Sequence, residues 1–268
     1  MQVVGFDYYY AMAILFDNIV FGPINSRRFG ASLGINLLPL KNKVCNFNCI
    51  YCECGWTDLK AFDISYFDSK EVIAAIEKRF KQIATDKTHI DSITFAGNGE
   101  PTMHPQFATI IDATIELRNL YLPGIKITVL SNATLLGNSS VFDSLKKVDL
   151  KVMKLDAGTT EMLIKIDKPL SSKKIDWYIQ KLKELKGELI IQTIFLKGNN
   201  DGENIDNTTP EELAEWLKAL KEINPQSVMI YTIDRETPAK ELEKIPVDKL
   251  NAICAMVNSN GIKAQVYS

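Results

Sequence analysis

The chain reads as an α/β fold, an open, partial parallel barrel of six βα units. Three observations carry that expectation. Short apolar or β-branched runs recur along the chain, helical periodicity fills most gaps between them, and chemically capable residues stand at the ends of successive runs. The runs are residues 32–38, 92–96, 126–130, 149–153, 189–195 and 228–233. Six such units are too few to close an eight-stranded barrel, so the sheet stays open and its chemistry gathers at the carboxyl ends of the strands.

In chain order, residues 1–20 are expected as an N-terminal extension, 21–240 as the main domain, and 241–268 as a helix and strand completing that domain. The first sixteen residues are apolar and aromatic but lack a basic leader and carry Asp7, which argues against a signal peptide; Met12 is a second plausible start. Residues 69–84 place Val72, Ile73, Ile76, Phe80 and Ile83 on one helical stripe. Ile175, Tyr178, Ile179, Leu182 and Leu185 form another stripe before Gly187, a helix terminator. Thr209-Pro210-Glu211-Glu212 combines a cap, a first-turn proline and acidic residues at the positive helix end. Pro246 opens a last helix that Gly261 closes, and residues 262–267 form an additional strand. Internal repeats, low-complexity tracts and linkers are absent from the sequence.

Composition narrows the class. At 268 residues, 46% hydrophobic and 24% charged, the chain can bury a full core and shows no bias towards disorder. No apolar run is long enough to span a bilayer. A net charge of −2 gives no global attraction to nucleic acid. Five cysteines, three of them crowded, suit metal binding in a reducing compartment better than a disulfide framework, so a cytoplasmic location without a membrane partner is expected.

Cys45, Cys49 and Cys52 lie within eight residues, too close to bridge one another cleanly but able to converge on one metal centre. Thiolates of this kind hold iron–sulfur clusters. Tetrahedral zinc is the competitor, and it would want a fourth ligand. The three-then-two spacing, with an aromatic residue before the last cysteine, resembles the radical S-adenosylmethionine (SAM) superfamily. That resemblance implies a [4Fe–4S] cluster on Cys45, Cys49 and Cys52, with one iron left open for the amino and carboxylate groups of SAM. It also implies reductive cleavage of SAM to methionine and a 5′-deoxyadenosyl radical that abstracts hydrogen from substrate. Electrons would come from a flavodoxin or ferredoxin.

Gly97-Asn98-Gly99-Glu100 ends the second strand. Glycines there permit close backbone approach, and a glutamate can position an ammonium group; a tight turn explains the tetrapeptide about as well. Within the resemblance it corresponds to a glycine-glycine-glutamate motif that holds the SAM amino group, with Asn98 replacing one glycine. The same resemblance makes Ser131-Asn132 the polar pair for the methionyl carboxylate or ribose. It sets Lys154-Leu155-Asp156 beside a stretch found in glycyl-radical-enzyme activases, and Gln192 at a SAM-facing position. Tyr51 would lean towards adenine, and Ile233 or Tyr231 would close the purine pocket, although Tyr231 suits the core better.

Residues 21–30, 32–36 and 231–235 narrow the likeness to the core of iron–sulfur oxidoreductases related to wyosine-base synthases. No cysteine precedes Cys45, so the second cluster of those synthases has no ligands here and their chemistry does not transfer. The readings carried forward are a radical SAM enzyme, a glycyl-radical-enzyme activase, a tRNA-base-modifying enzyme, and a zinc or iron–sulfur binding module. Arg27, Arg28 and Arg235 are the candidate anion-binding residues for substrate. A small molecule or protein segment ranks ahead of RNA. Cys54 reads as a bystander, Cys254 as a small buried hydrophobe, His104 as a turn or cap residue, and Lys181, Lys183 and Lys186 as a solvated helix face.

Overall fold

The computed structural model describes residues 14–57 and 65–267. Strand β1 (Val20–Ser26) pairs antiparallel with β2 (Gly30–Ile35). From β2 onward the sheet is parallel, through β3 (Ser92–Phe95), β4 (Lys126–Ser131), β5 (Leu150–Lys154), β6 (Ile190–Asn200) and two further strands. β7 (Glu203–Asp206) leaves this path to pair antiparallel with β6; β8 (Ser227–Thr232) continues it. β9 (Glu241–Lys244) pairs antiparallel with the other side of β6, and β10 (Ala264–Val266) ends the order β1-β2-β3-β4-β5-β6-β8-β10. β1 and β10 stand at opposite ends of that order, so the barrel is open as expected.

Among the described residues, seven α-helices connect the strands: α1 (Ser69–Asp86), α2 (Phe107–Tyr121), α3 (Ser139–Lys147), α4 (Thr160–Asp167), α5 (Ile175–Lys183), α6 (Pro210–Ile223) and α7 (Val247–Ser259). Their starts follow from local chemistry. Asp68, Asn138, Thr159 and Thr209 each accept a backbone N–H of the first turn, and Pro210 stands where no helical donor is needed. α5 stops at Lys183, before the expected terminator. Lys186 and Gly187 take the left-handed conformation in the turn that follows.

The period-two alternation of the strands separates two faces. Leu33, Ile35, Ile93, Phe95, Ile127, Val129, Ile191 and Ile230 join Val72, Phe80, Trp216 and Leu250 of the helices in one core. Phe80 is wholly buried there, and truncating such a ring to alanine costs about 3–5 kcal/mol. Val152, Ile190 and Met229 form a separate cluster on the concave face. The β1–β2 turn reaches across that face: Phe29 packs on this cluster, Arg28 meets β6 and β8, and Arg27 meets Asp234 beyond β8.

Three strands have no counterpart in the sequence reading. β1 lies in residues read partly as extension, while β7 and β9 are polar and largely exposed and show no apolar alternation to read. β6 continues to Asn200 because its last residues pair with those two strands instead of with the barrel.

Candidate active site

The cysteine loop follows β2 and is held on both sides by backbone. Val44 donates its N–H to the Asn98 carbonyl at 2.8 Å, and Glu100 returns an N–H to the Val44 carbonyl at 3.0 Å. On the other side Asn48 donates to Asp167 O at 2.9 Å and Ile50 to Ile166 O at 3.0 Å. The loop therefore bridges the turn after β3 and the end of α4. Asn132 Nδ2 approaches Cys45 Sγ at 3.6 Å, and Cys49 Sγ donates to Asp167 Oδ1 at 3.2 Å.

Burial raises the Cys45 thiol to about 12 and lifts Cys49 well above its ordinary value. Cys52 is lowered to about 6 by a hydrogen bond from Cys54, helped by Lys43. Lys43, 6% exposed, carries no signal in the sequence that sets it apart from Lys41, yet the fold buries it among the thiols. Burial works against its charge, but the thiolates of Cys52, Cys49 and Cys45 together hold its pKa above the usual lysine value. Three thiols sharing one buried cation are a donor set that suits an anionic thiolate-ligated cluster. They do not close on one point: among the described residues, no group of three His, Cys, Asp or Glu side chains is drawn together as ligands of a single metal ion.

Glu100 joins two of the expected strand ends. Its Oε1 accepts from Thr102 and Ser131, the latter at 2.9 Å, and its Oε2 accepts the Asn132 N–H at 2.7 Å. Burial raises its pKa, against these bonds. The Asn98 side chain turns away from the loop, donating to Phe16 O and Pro39 O at 2.9 Å each and accepting Phe16 N–H at 2.8 Å. The Asn98 side chain thereby ties down the segment preceding β1. Gly97 packs against Asn36, whose Oδ1 accepts the Asn98 N–H at 3.1 Å.

After β5, Asp156 accepts from Lys154 Nζ at 2.6 Å and from the Ile194 N–H at 3.0 Å. Tyr51 Oη also hydrogen-bonds Asp156 and Lys154, and the Lys154 ammonium lies 4.7 Å from the Tyr51 ring centroid. Asp167 Oδ1 is 3.6 Å from Lys154 Nζ. Burial opposes the lysine charge, yet Asp156, Cys49 and Asp167 hold its pKa well above the ordinary value. Tyr51 and Ile233 meet in one apolar cluster with Trp56 and Tyr231. Gln192 pairs across the sheet with Lys154 and accepts from Arg28 Nη1 at 2.5 Å.

The three arginines separate. Arg28 lies on the concave face, whereas Arg27 pairs with Asp234 at 3.6 Å and Arg235 with Glu53 at 2.6 Å, both largely exposed. His104 is a cap residue, its Nδ1 accepting the Gln106 N–H at 3.1 Å. Cys254 is half-buried against the helix-layer core. Cys54 Sγ donates to the Gly97 carbonyl at 3.5 Å.

Residues 41–208 match the Radical SAM superfamily. The chain belongs to this superfamily. A UPF0026 protein of Helicobacter pylori is 35% identical over 239 residues, covering 87% of this chain and 71% of the relative. The fold resembles a radical SAM methyltransferase from Sphaerobacter thermophilus, with a TM-score of 0.64 and 16% identity over 88% of this chain and 65% of the other. It also resembles Streptococcus suis SuiB bound to S-adenosylmethionine, with a TM-score of 0.61 and 15% identity over 88% of this chain and 50% of the other. The chain thus spans one half to two thirds of these solved radical SAM chains. Radical SAM proteins use a [4Fe–4S] cluster and SAM, and they require a reductant. Among the described residues, no helix is long and apolar enough to cross a membrane.

Asp167 supplies a pH test of this site. Burial raises its pKa from 3.8 to about 7, against the pull of Lys154. A carboxyl that holds its proton more tightly folded than unfolded makes stability fall as pH climbs between those values. Cluster-free protein is expected to lose thermal stability across that window, and Asp167→Asn to flatten the slope. Identical slopes in melting curves of the two proteins would refute the assignment.

Proposed function

We propose that the chain is a radical SAM enzyme in which Cys45, Cys49 and Cys52 hold the [4Fe–4S] cluster. When bound, the cluster and SAM supply one-electron cleavage of the sulfonium and a 5′-deoxyadenosyl radical that takes hydrogen from substrate. The observation that carries the reading is the set of direct contacts joining the cysteine loop to the residues after β3, β4 and β5.

In this reading each side chain has a defined task. Lys43 offsets thiolate charge. The turn of Gly97, Asn98, Gly99 and Glu100 fixes the cysteine loop by backbone bonds, and Glu100 holds Ser131 and Asn132 in place for the methionyl end of SAM. Tyr51 and Ile233 form an apolar wall for adenine, with Asp156 and Lys154 orienting the tyrosine. Gln192 faces the same side from β6. A flavodoxin or ferredoxin serves as electron donor, and a small molecule or protein segment ranks ahead of RNA as substrate.

Anaerobic reconstitution with iron and sulfide, reduction, and addition of SAM is expected to yield 5′-deoxyadenosine and methionine. Stoichiometric zinc with iron and sulfide near zero after reconstitution would overturn the proposal.

A further inference from the structure

Resting on the reading above, we infer that Arg28 is the receptor for an anionic group, a carboxylate or phosphate, on a small-molecule substrate. Arg28 sits in the turn that crosses the concave face, and its Nη1 donates to the Gln192 amide oxygen at 2.5 Å. Its guanidinium carbon lies 5.1 Å from the Tyr231 ring centroid and 5.5 Å from that of Phe29. Among the described residues it pairs with no carboxylate, whereas Arg27 and Arg235 are committed to Asp234 and Glu53. Lys154, the neighbouring cation at the level of Gln192, is already matched by Asp156 and Asp167. Among the described residues, Arg28 therefore supplies unmatched positive charge on the inner face of the sheet. A part-buried guanidinium there costs desolvation, which a bidentate anion repays.

Position separates this group from the methionyl end of SAM. The residues proposed for that end lie after β2, β3 and β4, while Arg28 is held against β6 and β8, on the side where Gln192 and Ile233 are proposed for the adenine end. An anion on Arg28 would anchor the part of the substrate remote from the reacting carbon.

Calorimetric titration of the anaerobically reconstituted protein with inorganic phosphate, with and without SAM, tests the inference. Phosphate is expected to bind equally in both conditions. Arg28→Met should weaken it roughly tenfold and Arg28→Lys less, since lysine keeps the charge but loses the fork. Arg27→Met and Arg235→Met serve as controls and should bind phosphate as the parent does. Competition between SAM and phosphate, with both weakened alike by Arg28→Met, would assign Arg28 to SAM and overturn the inference. Displacement of phosphate by tRNA through the same arginine would overturn its small-molecule form. If Arg28→Met does not fold, phenylglyoxal labelling of the unmutated protein decides the matter. Phosphate should protect Arg28 and leave Arg27 and Arg235 reactive; unprotected Arg28 would refute the inference. Iron content and 5′-deoxyadenosine formation are measured separately, so failure of the cluster reading is distinguishable from failure at Arg28.

Discussion

Alanine at Cys45, Cys49 or Cys52 is expected to reduce both cluster retention and 5′-deoxyadenosine formation to background. Each thiol occupies a different part of the loop: Cys45 beside Asn132, Cys49 against Asp167, and Cys52 beside Lys43 and Cys54. None can be replaced by moving another, because the loop backbone is pinned to Asn98, Glu100, Ile166 and Asp167. Cys54→Ala is expected to keep the cluster. It should shift the pH dependence of reconstitution upward, because the Cys54 hydrogen bond is the main cause that lowers Cys52 to about 6. Iron and sulfide analysis across pH checks both expectations. Retention of a full cluster in any of the first three variants would remove that cysteine from the ligand set.

Gly99→Ala is expected to have the second-largest effect, for a reason that differs from the sequence expectation. The sequence suggests that glycine admits a ligand close to the backbone. In the structure the close approach comes from the cysteine loop itself: a Cβ on Gly99 would stand 1.8 Å from the Val44 carbonyl oxygen, one residue before Cys45. The residue also has φ of +140°, which an L side chain rarely adopts and which costs about 1–3 kcal/mol. The substitution must move Val44, so cluster incorporation should fall together with SAM binding. Gly124→Ala is the control, because Gly124 shares a positive φ (+88°) but its Cβ would meet nothing within 4 Å. Iron content that stays full in Gly99→Ala while SAM affinity drops would restore the ligand-contact explanation.

How much was legible follows from the kind of signal each element carries. The parallel strands were readable because strands covered by helices must be apolar, and Ile93, Val129 and Ile191 announce that burial locally. The family was readable at the cysteine loop because its three-then-two spacing resembles that of radical SAM proteins, a likeness that the match over residues 41–208 bears out. Asp167 was not, since it ends a helix far from the cysteines in sequence and only the packing of α4 brings it to Cys49. Lys43 was hidden by the prior that lysines are solvated. The three arginines look equivalent in sequence; their partners, Gln192, Asp234 and Glu53, are set by long-range folding.

The length of β6 has a consequence for how the molecule opens. Its first residues form part of the barrel wall beside β5 and β8, and the same unbroken strand then becomes the middle of the antiparallel trio with β7 and β9. A flap on a loop can swing independently of its support; one built on the continuation of a wall strand cannot, because bending it strains the ladder below. The trio and the wall are thus coupled as one cooperative unit. Slow amide exchange should extend from Ile191 along the strand towards Gly198, without the break in protection that a hinge would leave.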